Sequence, residues 1–159
     1  MKNMLSIPMQ TSAAAPDTKP RPTRSFTRFF PPAARILLGL PLFVVGLNGF
    51  LNFLPQPSAP MADGAMAFAE ALMKSGYMFP LISGTQLIVG VLLLLNRFVP
   101  LALVLLAPFI VNSMAFHIFL EHTGLPIASV FLALELYLAW QYRKSYRGVL
   151  AMRAVTSGV

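Results

Sequence analysis

The chain contains four long runs in which nearly every residue is apolar, at residues 36–54, 78–95, 98–120 and 125–142. At 1.5 Å per residue, helices of these lengths reach about 27–34 Å, enough to cross a hydrocarbon core of roughly 30 Å. Because backbone polar groups find no partners in lipid, a spanning segment of this kind must be helical. The pattern therefore predicts an all-α integral membrane protein, built as an up-and-down bundle of four transmembrane helices.

The connections between the runs are polar, and two of them are very short. Residues 96–97 and 121–124 leave room only for tight turns, which force neighbouring helices to run antiparallel. The first connection, residues 55–77, is longer, and its part from 65 to 74 places small, apolar and charged residues at helical spacing. That part is predicted to form a short amphipathic helix along the membrane surface. Pro108 lies inside the third run and predicts a bend that frees the carbonyl of Val104.

The ends of the chain differ from its middle. Residues 1–33 are rich in Pro, Ser, Thr and Ala and lack the apolar core of a signal peptide, which predicts a mostly disordered cytoplasmic tail. This tail ends in an aromatic and basic segment at residues 26–30, which is typical of a juxtamembrane anchor; a regulatory or partner-binding tail is the alternative. The predicted transmembrane domain covers residues 34–147, and residues 148–159 form a second cytoplasmic tail.

Composition supports a membrane protein and excludes several other classes. Hydrophobic residues make up 57% of the chain and charged residues 11%, whereas soluble proteins carry about 25% charged residues. The absence of cysteine excludes a disulfide-stapled domain and any cysteine-ligated cluster or zinc site. The formal net charge of +7 does not indicate nucleic-acid binding, because the basic residues flank the apolar runs and form no continuous groove for phosphates.

The distribution of Lys and Arg predicts the orientation. In a four-span arrangement only Lys74 lies on the outer side. Eleven basic residues lie on the other side: Lys2, Lys19, Arg21, Arg24, Arg28, Arg35, Arg97, Arg143, Lys144, Arg147 and Arg153. By the positive-inside rule both termini are expected in the cytoplasm, as in a bacterial-type inner membrane.

Each predicted span brings one strongly polar side chain to a similar depth. Glu135 is the single carboxylate within a span, and the other three spans contribute Asn48, Gln86 and Asn112. Their positions predict a common polar layer about 9–15 Å below the outer surface. Ser83, Gln86 and Gly90 share one face by their spacing.

Two interpretations of this layer stay open. The residues either hydrogen-bond to each other and hold the bundle together, or they form a substrate, quinone-headgroup or proton site. In the structural case, Glu135→Leu is expected to loosen the bundle by about 1 kcal/mol.

His117 is a further candidate, near the outer end of the third span and on one face with Ser113 and Glu121. Axial haem ligation needs a histidine on a second span, and no other run contains one. A hydrogen-bonded interfacial histidine is therefore expected instead of a haem or metal ligand. The chain has no P-loop, dinucleotide-binding or catalytic-triad motif, so no catalytic residue and no metal site are predicted.

Several short motifs resemble the DoxX family of small membrane proteins. They are Arg35-Ile-Leu-Leu-Gly-Leu, Asn48-Gly-Phe-Leu-Asn-Phe-Leu-Pro55, Gly90-Val-Leu-Leu-Leu-Leu-Asn-Arg97-Phe-Val-Pro-Leu-Ala and parts of residues 106–120. The resemblance covers residues 35–147. It implies a four-helix membrane bundle associated with quinone-linked oxidoreductase complexes. Many family members carry Glu where this chain has Gln86, which weakens any transfer of proton or quinone chemistry to that position.

Two functions follow as hypotheses. The first is a non-catalytic accessory or anchor subunit of a redox or quinone-linked membrane complex, with the lipid bilayer and other subunits as partners and quinone as the one candidate cofactor. A homo-oligomer is a further candidate assembly. The alternative is a small transporter or permeation element that uses the polar layer, although the internal repeats that are usual in transporters are missing.

Overall fold

The computed structural model describes residues 29–55 and 61–146. These residues form five α-helices: α1 (Phe30–Leu51), α2 (Asp63–Lys74), α3 (Met78–Leu94), α4 (Val99–Phe119) and α5 (Leu125–Gln141). Two short 3₁₀ helices, His122–Gly124 and Arg143–Tyr146, precede and follow α5. No strand occurs within the two described ranges, so the all-α prediction is confirmed there. The predictions for residues 1–28 and 147–159 lie outside the described residues.

Three helical segments are individually long and apolar enough to cross a membrane: α1, α4, and the segment from His122 to Gln141 that contains α5. Their mean hydropathies are 1.8, 2.1 and 1.5. Helix α3 has 17 residues and meets α2 at a bend of 90°. If these two helices are counted as one broken span, the candidates number up to four.

The predicted bounds of α1 are wrong at both ends. The helix begins at Phe30 instead of residue 36, because Pro31 and Pro32 occupy its first turn, where a missing N–H removes no helical hydrogen bond. It ends at Leu51 instead of residue 54, because Asn52 adopts a left-handed conformation with φ +48° and stops the helix. The first helix therefore includes Phe30, which the sequence assigned to the interfacial segment of the tail.

The predicted amphipathic helix is present as α2. Its inner face carries the fully buried Ala65 and Phe68, whose ring lies 5.7 Å from the ring of Phe116 on α4. Its outer face carries an exposed ion pair between Glu70 and Lys74 at 3.0 Å. The helix therefore packs with one side against the C-terminal end of α4.

Helices α1, α3, α4 and α5 pack around one hydrophobic core. Helix α1 contacts α3 most extensively, α3 contacts α4, α4 contacts α5, and α5 contacts α1 in turn. The largest fully buried side chains are Leu38, Leu93, Leu106, Leu138 and Val89. Each of the four helices contributes at least one of them, so the core lies on the common axis of the four.

Glycines bring the backbones of α1 and α3 into direct contact. A Cβ atom added at Gly46 would lie 2.5 Å from the backbone nitrogen of Leu87, and one added at Gly90 would lie 2.6 Å from the backbone nitrogen of Phe43. Small residues allow this approach in helix pairs that pack without a large hydrophobic driving force. The α1–α3 contact therefore fixes which face each of these two helices turns inward.

The short connections are built as predicted. Helix α3 ends in a Schellman motif, in which Arg97 N–H donates to the Leu92 carbonyl (2.9 Å) and Asn96 N–H donates to the Leu93 carbonyl (3.2 Å). Asn96 has φ +55°, which asparagine tolerates better than most residues.

Helix α4 continues through Pro108 as a single helix, so the predicted bend does not interrupt it.

Candidate functional site

Two of the predicted polar residues, Asn48 and Gln86, line the same cavity. This cavity has a volume of about 220 Å³ and lies between the C-terminal end of α1 and α3. Its other lining residues are Val45, Gly49, Asn52, Phe79, Ile82 and Ser83. It contains four polar side chains and no charged one, so it suits an uncharged hydrogen-bonding group or water.

The polar residues of this cavity have different local roles. The side-chain oxygen of Asn48 accepts a hydrogen bond from the backbone N–H of Leu54 (2.7 Å) and so supports the turn after α1. Ser83 packs directly on Gly49, where any side chain would collide with its hydroxyl group. Gln86 is 6% exposed, and its amide has no hydrogen-bond partner among the described residues. Its amide is therefore one of the groups in this cavity that remain available to a ligand.

Asn112 lies apart from Asn48 and Gln86. It is exposed on α4 and lines two other surface cavities, one with Met78, Thr85 and Pro108 and one with Phe68 and Phe116 beneath α2. The structure therefore places its amide between α3, α4 and α2, away from the α1–α3 cavity.

Glu135 lies in a third place, a groove between α4 and α5. We call this the α4–α5 groove; it has a volume of about 250 Å³ and is lined by Leu103, Val104, Ala107, Val111, Leu132, Glu135, Leu136, Ala139 and Tyr146. Glu135 is 6% exposed and makes no hydrogen bond or ion pair with any described residue. It is the one ionisable group that the two helices contribute to this groove.

Tyr146 closes one end of the α4–α5 groove. The 3₁₀ helix after α5 turns the chain back, and the Tyr146 hydroxyl donates to the carbonyl oxygen of Pro100 at the start of α4 (3.2 Å). Burial raises the pKa of the Tyr146 phenol, and the negative charge of Glu135 raises it further. No sequence pattern points to this residue, because it follows the last apolar run among basic residues.

His117 has a structural environment at the end of α4. Its Nδ1 donates to the carbonyl oxygen of Glu121 (2.8 Å), and its ring packs on Gly124, where any added Cβ would collide with it. The hydrogen bond expected for this histidine is therefore present. Within residues 29–55 and 61–146 no group of three or more His, Asp or Glu residues is placed to hold a metal ion.

Glu121 joins α2 to the α4–α5 turn, a role that the sequence did not reveal. One carboxylate oxygen accepts from the backbone N–H of Ala62 (3.1 Å), and the other accepts from the hydroxyl (2.9 Å) and the backbone N–H (3.3 Å) of Thr123. These hydrogen bonds lower the pKa of Glu121 below its ordinary value, with the one from Ala62 contributing most. The sequence shows that Glu121 is an acidic residue in the third connection. It does not reveal that the partner of Glu121 is Ala62, which lies 59 residues earlier in the chain.

The single polar layer predicted from the sequence is not formed. Asn48 and Gln86 share a cavity, whereas Asn112 and Glu135 line separate ones. Depth along the helices differs as well, because α1 ends at Leu51 and leaves Asn48 only about 4.5 Å from its end. The predicted polar face of α3 is confirmed, since Ser83, Gln86 and Gly90 are all buried.

Comparisons with known proteins return no relative. No family model, no curated protein and no solved structure matches the chain. The resemblance to the DoxX family therefore stays a prediction that rests on the motifs alone.

Proposed function

We propose that the chain is a four-span integral membrane protein that serves as a non-catalytic accessory or anchor subunit of a larger membrane complex. In this proposal α1, α3, α4 and α5 cross the bilayer in alternating directions, α2 lies at the outer surface, and both termini are in the cytoplasm. The excess of Lys and Arg on one side supports this orientation. A bacterial-type inner membrane is the location that fits it.

The observation that carries the proposal is the apolar outer surface of the bundle. Large hydrophobic side chains point away from the core on every long helix and are more than half exposed; examples are Leu37, Leu81, Val111, Ile127 and Leu136. A soluble domain rarely exposes apolar surface so continuously, whereas lipid or a partner subunit would cover it. An anchor subunit needs such a surface and needs no catalytic centre of its own.

The redox or quinone link comes from the DoxX resemblance and is the more specific part of the proposal. The α1–α3 cavity, with its free Gln86 amide, is the place where a quinone headgroup would find hydrogen-bond partners. The transporter alternative is supported less well, because its four candidate residues line four separate cavities and do not form one path.

Gentle extraction of the tagged full-length chain from its native membrane, followed by mass spectrometry of proteins and lipids, tests this role. We expect the chain to resist alkaline carbonate extraction and to co-purify with redox-complex subunits or quinone. A matched preparation of Gln86→Leu should retain the protein partners and lose quinone. Recovery of a lone chain with neither partner nor quinone would contradict the accessory role.

A further inference from the structure

The carboxylate of Glu135 lacks a countercharge in the part of the chain that the structure describes. Neither α4 nor α5 contains a Lys or Arg residue, and no described side chain forms a hydrogen bond or ion pair with Glu135. A glutamate residue that is more than nine-tenths buried is costly to keep ionised without a partner. A bound cation would supply the missing partner.

A second residue of the same groove carries a backbone acceptor without its helical donor. In a regular helix the carbonyl of Val104 would accept the N–H of residue 108, but Pro108 has no N–H to donate. Val104 lines the α4–α5 groove together with Glu135. One residue with a carboxyl group and one with an unpaired backbone carbonyl therefore line the same groove, a combination that suits a ligand with several N–H donors.

The remaining walls of the groove are apolar and long. On α4 they extend from Leu103 to Val111, a distance of about 12 Å along the helix. On α5 they are formed by Leu132, Leu136 and Ala139. These walls would accommodate an alkyl chain, and Tyr146 closes the groove where it approaches Pro100.

We propose that the α4–α5 groove binds a primary alkylammonium ion. The N–H groups of the ammonium contact the Glu135 carboxylate and the Val104 carbonyl, and the alkyl chain lies along the apolar walls. An ammonium group offers three donors and no acceptor, which matches a site that offers acceptors only. This inference goes beyond the accessory role and does not depend on it.

Equilibrium binding of radiolabelled octylamine tests the site. The full-length protein is placed in phosphatidylcholine nanodiscs, and uptake by empty nanodiscs is subtracted. We expect saturable binding of one octylamine per chain, weakened at least about tenfold by Glu135→Gln, which keeps the shape and removes the charge. Absence of saturable binding, or equal binding by wild type and Glu135→Gln, would overturn the proposal.

Three comparisons make the result specific. Pro108→Ala restores an N–H for the Val104 carbonyl and should weaken binding about threefold to tenfold, whereas Glu70→Gln removes an exposed carboxylate on α2 and should leave binding unchanged. Octanol, which has no charge, and trimethyloctylammonium, which has no N–H donor, should compete poorly. Equal competition by octanol would show that the groove selects only for the chain and would contradict an ammonium site.

The primary ammonium could belong to a free amine or to the headgroup of phosphatidylethanolamine. Repeating the titration in nanodiscs that contain phosphatidylethanolamine separates these sources. Displacement of octylamine by the lipid would identify the headgroup as the ligand, and unchanged binding would identify a free alkylamine.

Discussion

At the scale of single residues, Gly46 controls the approach of α1 to α3. Gly46→Ala would place a methyl group 2.5 Å from the Leu87 nitrogen and 2.8 Å from the Ser83 carbonyl oxygen, which are backbone atoms that cannot rotate away. We expect the free energy of unfolding in detergent to fall by about 1–3 kcal/mol. Gly84→Ala is the matched control, because its added Cβ would meet only Phe50 at 3.8 Å and should leave stability unchanged or raise it. Equal losses from both variants would refute the close contact.

Glu135 is expected to contribute little to the stability of the bundle. Because no described residue hydrogen-bonds to it, Glu135→Leu should leave the free energy of unfolding in detergent unchanged or raise it by up to about 1 kcal/mol. This differs from the loosening expected from sequence, which assumed amide partners that the structure places elsewhere. Leu138→Ala, at a fully buried core position, is the comparison and should cost about 2–5 kcal/mol. A large loss from Glu135→Leu would show a hidden structural partner.

The residue scale is also where sequence reasoning failed most clearly. The four polar residues were identified correctly as the polar members of their helices, but which of them meet depends on how each helix is rotated about its axis. That rotation is set by contacts such as Gly46 on Leu87 and Gly90 on Phe43. Hydropathy alone cannot supply it, because α3, α4 and α5 are mostly apolar around their whole circumference and a few polar side chains do not determine which helix each of them meets.

At the scale of elements, hydropathy predicted most of the helices well. The bounds of α3, α4 and α5 agree with the predicted runs to within one residue at each end, because short polar turns separate these apolar runs clearly. The start of α1 differs from the prediction because Pro31 and Pro32 continue the proline-rich pattern of the tail, whereas proline also fits the first turn of a helix. The junction of α2 with Glu121 was missed because it joins residues distant in sequence.

The Glu121 junction predicts a pH dependence for α2. Because the pKa of Glu121 is lowered, its ionised carboxylate stabilises the junction fully at pH values above the ordinary pKa of 4.5. This stabilisation is lost as the pH falls through the lowered pKa. We expect amide hydrogen exchange in residues 61–66 to lose protection, relative to α4, only at pH values below about 4.5.

Glu121→Gln should give the unprotected pattern already at neutral pH and abolish the difference between neutral and acid conditions. Glu70→Gln is the control, because Glu70 pairs only with Lys74 on the exposed face of α2. Protection of residues 61–66 that is independent of pH in the wild type would contradict the junction.

At the scale of the whole molecule, the account depends on an apolar exterior around a closely packed core. The α1–α3 contact and the shared core hold four helices together, while large apolar side chains cover their outer faces. In the proposed arrangement the bilayer covers that exterior, and the distribution of basic residues predicts the direction in which the bundle is inserted. The central claim is that α1, α3, α4 and α5 each cross the membrane.

Single-cysteine labelling tests that claim most directly, since the natural chain contains no cysteine. Cysteine is introduced singly at four positions: Ala67 on α2, Leu95 after α3, His122 after α4 and Ser157 near the C-terminus. Intact cells are then treated with a maleimide that reaches the outer face of the inner membrane but does not cross that membrane. The account predicts that Ala67→Cys and His122→Cys react at once, whereas Leu95→Cys and Ser157→Cys react only after the membrane is permeabilised. Labelling of Ala67→Cys and Leu95→Cys from the same side, or of His122→Cys and Ser157→Cys from the same side, would contradict it.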